Sequence, residues 1–81
     1  MKLIEAVGIR IRTILSEKND LTLYELAKQA GMPKGTVWKI LNPDLTRVKT
    51  MKLDTLYQIL DTLNIKLKDF FDDPIFDKVD D

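Results

Sequence analysis

The stretch from Thr22 to Leu41, TLYELAKQAGMPKGTVWKIL, constrains the fold of this chain more than any other. Leu23, Leu26, Ala27 and Ala30 recur at helical spacing and define a short helix with one apolar stripe. Thr22 precedes it as an N-cap, because a hydroxyl can accept a bond from a first-turn N–H that has no partner within the helix. Gly31 then suits the left-handed conformation that ends a helix, since it carries no Cβ to clash. Pro33 restarts the chain, its missing N–H costing nothing in a first turn. A second helix over residues 34–41 buries Val37, Ile40 and Leu41 and leaves Lys34, Gly35, Trp38 and Lys39 on the opposite side. Two short helices joined by so tight a turn have the geometry that can present the second helix to a major groove.

The rest of the chain reads as helices too. Residues 3–18 carry Leu3, Ile4, Val7, Ile11, Ile14 and Leu15 at three- and four-residue intervals. Gly8 inside that run costs about 1 kcal/mol relative to Ala, which a close packing contact would explain. Asn19 and Asp20 end it as a turn-prone pair. After residues 34–41, Asn42-Pro43-Asp44 closes the helix and a loop runs to about Met51. A fourth helix over residues 52–63 turns Leu53, Leu56, Tyr57, Ile59, Leu60 and Leu63 inward, with Asn64 suited to the left-handed position after it. A fifth, residues 67–72, contributes Leu67, Phe70 and Phe71. The expected architecture is all-α, a compact bundle of five short helices over residues 1–72, with an acidic tail over 73–81.

Composition closes off several function classes. With 81 residues there is room for one small domain, and no Cys or His is present, which removes disulfides, thiolate metal sites and the commonest general base. No Gly-rich phosphate loop is present, and the Asp pairs at 72–73 and 80–81 read as a solvated tail. We therefore expect no catalytic site, no metal, no cofactor and no small-molecule ligand. No apolar run approaches the ~20 residues a membrane helix needs. The start, MKLIEAVGIRIRTIL, is broken by Arg10 and Arg12 where a signal peptide is uninterrupted, so a cytoplasmic protein is expected.

The formal net charge is zero, but it is unevenly distributed. Residues 1–71 hold twelve Lys and Arg against eight Asp and Glu, and residues 72–81 hold one Lys against five Asp. Between 28 and 52, six basic residues face a single acidic one, Asp44. A polyanion responds to such a local patch more than to the total.

The pattern of Glu25-Leu26-Ala27, Ala30-Gly31, Thr36-Val37 and Ile40, followed downstream by Leu53 through Ile65 and then Phe70-Phe71, resembles the Cro/repressor-type helix-turn-helix family. The resemblance covers roughly residues 7–71 and implies a lambda-repressor-like DNA-binding domain. It implies that residues 34–41 are the recognition helix, with Lys34, Gly35, Thr36, Trp38 and Lys39 as the base-reading set. Lys donates to guanine O6 and N7, Thr36 offers a hydroxyl and a methyl, and Gly35 offers only close backbone approach. Trp38 has two readings, contact with a thymine methyl or the sugar-phosphate wall, and partial core beneath the following loop. Thr22, Asn42, Arg47 and Lys49 would hold phosphates. Leu23 and Met51 stand where relatives often carry polar or basic groups. Leu15 and Leu41 stand where relatives often carry an Arg–Glu ion pair, so an apolar contact is expected there.

The implied function is a sequence-specific regulator, a repressor, bound to double-stranded DNA at a palindromic operator as a homodimer. Phe71, Ile75, Phe76 and Val79 are the expected interface supply, whereas Phe70 is expected to cap the monomer core. The alternative is an antitoxin-like or other protein-interaction module that also binds its own operator, with the acidic, aromatic tail as its working surface.

Overall fold

The computed structural model describes residues 1–18, 21–46 and 49–80. Among them the chain forms α1 (Leu3–Glu17), α2 (Leu23–Ala30), α3 (Lys34–Leu41), α4 (Pro43–Thr46), α5 (Leu53–Thr62) and α6 (Leu67–Phe71), then a 3-10 helix over Pro74–Lys78. The helix ends follow local chemistry. The Glu25 amide donates to Thr22 Oγ1 at 3.1 Å, capping α2. Gly31 ends α2 at φ 68°, and the Met32 amide donates back to the Ala27 carbonyl at 2.9 Å. Asn64 takes the corresponding left-handed position after α5, at φ 58°. The Asn19-Asp20 turn lies outside the described residues.

The core is one apolar cluster. Ile11, Leu26, Val37, Ile59, Leu60 and Phe70 are its fully buried centre, joined by Ile14, Ala27, Ile40, Leu41, Leu56 and Leu63. Every major helix contributes, because each carries a single apolar stripe. Helix α3 packs against both α1 and α2, and α2 packs in turn on α5. Gln58 on α5 closes the α2 end by donating its Nε2 hydrogen to the Ala30 carbonyl. Leu41 is buried and Leu15 half-buried against the same cluster. A polar bridge joins α1 to the end of α3 beside them, Arg12 Nη1 donating to Asn42 Oδ1 at 3.4 Å.

Three details differ from the sequence reading. Pro43–Thr46 is a helical turn rather than loop: Pro43 occupies a first helical position, the Leu45 amide reaches the Asn42 carbonyl at 3.2 Å, and Thr46 Oγ1 donates to that carbonyl at 3.0 Å. Leu53 and Tyr57, expected inside, are 66% and 55% exposed, and Leu3 is exposed as well. The residues after α6 fold back. Arg10 reaches from α1, its Nε donating to the Phe70 carbonyl at 3.0 Å and its Nη1 pairing with Asp73 at 3.3 Å. Phe76 packs against Phe70 and Phe71, with centroids 5.6 and 4.9 Å away. The Asp80 amide donates to the Met1 carbonyl at 3.0 Å. The N-terminal ammonium hydrogen-bonds the Asp80 carboxyl at 2.5 Å, and by that bond first and its charge second it holds the carboxyl below its ordinary pKa.

Gly8 explains its own place in α1. A Cβ there would lie 2.9 Å from the Ile40 carbonyl oxygen and 3.3 Å from Pro43 Cδ. The backbone of α1 thus sits directly on the C-terminal end of α3. We expect Gly8→Ala to lose about 1–3 kcal/mol of stability in denaturant unfolding, the overpacking outweighing the helix-propensity gain. A stabilised Gly8→Ala would show that this contact can open without cost.

Candidate nucleic-acid interface

Helix α3 is divided lengthwise. Val37 is fully buried and Ile40 and Leu41 nearly so, while Lys34, Gly35, Thr36, Trp38 and Lys39 are all exposed. No acidic residue lies on it. At its start Pro33 supplies a carbonyl that accepts from the Thr36 and Val37 amides at 3.0 and 3.3 Å, and no side chain caps this end. The remaining first-turn N–H groups therefore face outward, where partial positive charge favours an anion.

Three of the five expected base-reading residues meet in one place. Lys34, Gly35 and Trp38 line an open cleft of about 440 Å³ together with Leu23 and Tyr24 from α2. Trp38 is 44% exposed and shares that cleft, so it is not buried away from the exposed face of α3. Thr36 and Lys39 are exposed on α3 but do not line the cleft.

Tyr24 escaped the sequence reading. It is 64% exposed, and the Lys34 ammonium donates to its hydroxyl at 2.7 Å while lying 4.3 Å from its ring centroid. A cation over an aromatic face gains about 0.5–1 kcal/mol at an exposed site. Part of the signal was in the sequence, an aromatic off the apolar stripe of α2 and two residues after its cap, but its contact with Lys34 was not.

The expected phosphate contacts are dispersed. Thr22 is exposed, and its oxygen already accepts the Glu25 amide, which leaves the hydroxyl hydrogen as a donor. Asn42 is half-buried and engaged at both ends, accepting from Arg12 and donating from Nδ2 to the Trp38 carbonyl at 3.0 Å. Lys49 is exposed but lines a different opening, an apolar groove of about 480 Å³ between the start of α1, the start of α5 and Phe71. Arg47 lies outside the described residues. Of the expected interface residues, Phe71 is exposed and borders that groove, whereas Ile75, Phe76 and Val79 are half-buried on their own molecule. Phe70 is fully buried.

No group of residues suited to holding a metal occurs among the described residues, and no helix there is long and apolar enough to cross a membrane.

Gly35 has no atom of the described residues within 4 Å of the place a Cβ would take. Gly35→Ala should therefore leave the fold intact and raise its stability by up to about 0.5–1 kcal/mol, measured by thermal unfolding. A lowered melting temperature would mean that this position is more crowded than its surroundings show.

No curated protein and no solved structure matches the chain. A family does, however: residues 10–74 match the Cro/C1-type HTH DNA-binding domain, a span that takes in the capped α2, the Gly31 turn, the exposed face of α3 and the α5–α6 support. The chain belongs to the Cro/C1-type helix-turn-helix DNA-binding family.

Proposed function

We propose that the protein is a cytoplasmic transcriptional repressor that binds a palindromic DNA operator as a homodimer, reading the major groove with α3 and acting by binding rather than catalysis. The observation that carries this is the exposed, wholly non-acidic face of α3, with Lys34, Gly35, Thr36, Trp38 and Lys39 held outward by the burial of Val37, Ile40 and Leu41. Lys34 and Lys39 are the hydrogen-bonding readers of base edges, and Gly35 lets the backbone approach. Thr22 and Lys49 position the duplex through phosphates, with Arg47 as a further cation in the same segment. Asn42 serves this set indirectly: its bonds to Arg12 and the Trp38 carbonyl support the end of α3.

Dimerisation is supported by the groove beside Phe71. Leu3, Met51, Leu53 and Phe71 border it, and Tyr57 continues the exposed stripe one turn beyond Leu53. We assign the interface to this groove with Phe71 at its edge, and we give Ile75, Phe76 and Val79 a supporting role behind Phe71. Two-fold related copies would address half-sites about 34 Å apart.

The test is a mobility-shift assay on the DNA upstream of the protein's own gene, repeated at rising salt. Lys34→Ala should relax base preference at one position per half-site. Lys49→Ala should weaken all sequences alike and reduce the salt slope by about one per protomer, about two for the bound dimer. No retardation of any palindromic duplex at low salt would refute DNA binding. Leu53→Asp, at an exposed position, should keep the fold and sediment as a monomer at concentrations where the parent chain dimerises. A parent chain that stays monomeric while binding one full palindrome tightly would overturn the dimer.

A further inference from the structure

The exposed side of α3 is poor in hydrogen-bonding readers. Between residues 34 and 41 there is no Arg, Asn, Gln, Asp or Glu, so beyond Lys34 and Lys39, which act as point charges, the planar side chains suited to bidentate recognition of a base edge are missing. What the surface has instead is an apolar recess. Leu23 and Tyr24 from α2 and Trp38 from α3 line the cleft together with Gly35, where a Cβ would meet no described atom within 4 Å. Lys34 shares the cleft, but its ammonium is held at the Tyr24 hydroxyl and over the Tyr24 ring. The cation is thus drawn to one wall, which positions it for a neighbouring phosphate or guanine and leaves the recess itself apolar.

Among the unmodified bases, only thymine presents an apolar group in the major groove, its 5-methyl; a methylated cytosine presents the same group in the same place. We propose that the Leu23–Tyr24–Gly35–Trp38 cleft receives the 5-methyl group of a pyrimidine, and that this contact carries most of the base discrimination at its position. The inference rests on the DNA-binding reading. It makes Tyr24 and Trp38 specificity-determining residues and gives Gly35 a role as the opening of the recess. Moving one methyl group out of water corresponds to about a fourfold change in affinity.

The full chain is used to enrich binding sites from a library of random duplexes at low salt. The enriched duplex is then resynthesised with deoxyuridine in place of each thymidine in turn, and with 5-methylcytosine in place of each cytosine. The expected result is about a fourfold loss on removing the methyl at a particular thymine of each half-site, or a matching gain on adding it at a particular cytosine. The first places thymine in the cleft, the second methylated cytosine. Either effect should vanish in Trp38→Ala, which removes a wall. It should vanish also in Gly35→Leu, which fills the recess at a position with open space around it, so a folding defect in one variant does not leave the question open. Affinity indifferent to the methyl at every position, or an effect that persists in both variants, would overturn the proposal and leave DNA binding standing. Failure to enrich any duplex would overturn both.

Discussion

The close approach of Gly8 to the Ile40 carbonyl sets where α3 can sit. A helix offers its outer face to a ligand only as precisely as its inner face is held. Here α1 lies directly on the C-terminal end of α3, while Val37, Ile40 and Leu41 are drawn into the core between α1 and α2. The Gly31 turn fixes the other end, because its left-handed backbone reverses the chain in a step that an L-side chain would strain. With both ends settled, the exposed residues of α3 have little freedom to rearrange. The family match takes in the rest of this frame, from the second half of α1 to the residues after α6, and begins two residues after Gly8.

Electrostatics follow from the same partition. A chain with zero formal charge is an unpromising ligand for DNA if charge is averaged. Much of the acid, however, lies after residue 71, and the 74–78 turn that carries part of it packs on α1. Arg10 anchors this segment through the Phe70 and Asp69 carbonyls and Asp73. Phe76 of the turn settles on Phe70 and Phe71 and against the core, which ties the segment to the rest of the molecule.

Much of this was legible in the residues alone, and the physical reason is clear. Caps and left-handed turns are local chemistry, so Thr22, Gly31 and Asn64 could be placed from sequence, and α2 and α3 begin and end where the pattern put them. Gly8 pointed to a close contact because a mid-helix glycine costs stability that such a contact would explain, and the Ile40 carbonyl is that contact. Leu53 and Tyr57 misled because periodicity identifies an apolar stripe without saying what covers it; on α5 the stripe is wider than the core it meets. Pro43 looked like a stop, since proline ends one helix and begins another with the same ring. Tyr24 was missed because its role depends on the cleft between two helices, and no spacing rule within either helix reveals that Lys34 will lie across its ring.

The most direct test of α3 as the DNA-facing element is a nuclear magnetic resonance titration of the labelled full chain with a duplex at low salt. We expect the largest shifts at the Gly35 amide, the Trp38 indole N–H and the residues around Tyr24, with the 74–78 turn nearly unmoved. Shifts concentrated on that turn or along the Leu53–Phe71 groove, with α3 unchanged, would contradict it.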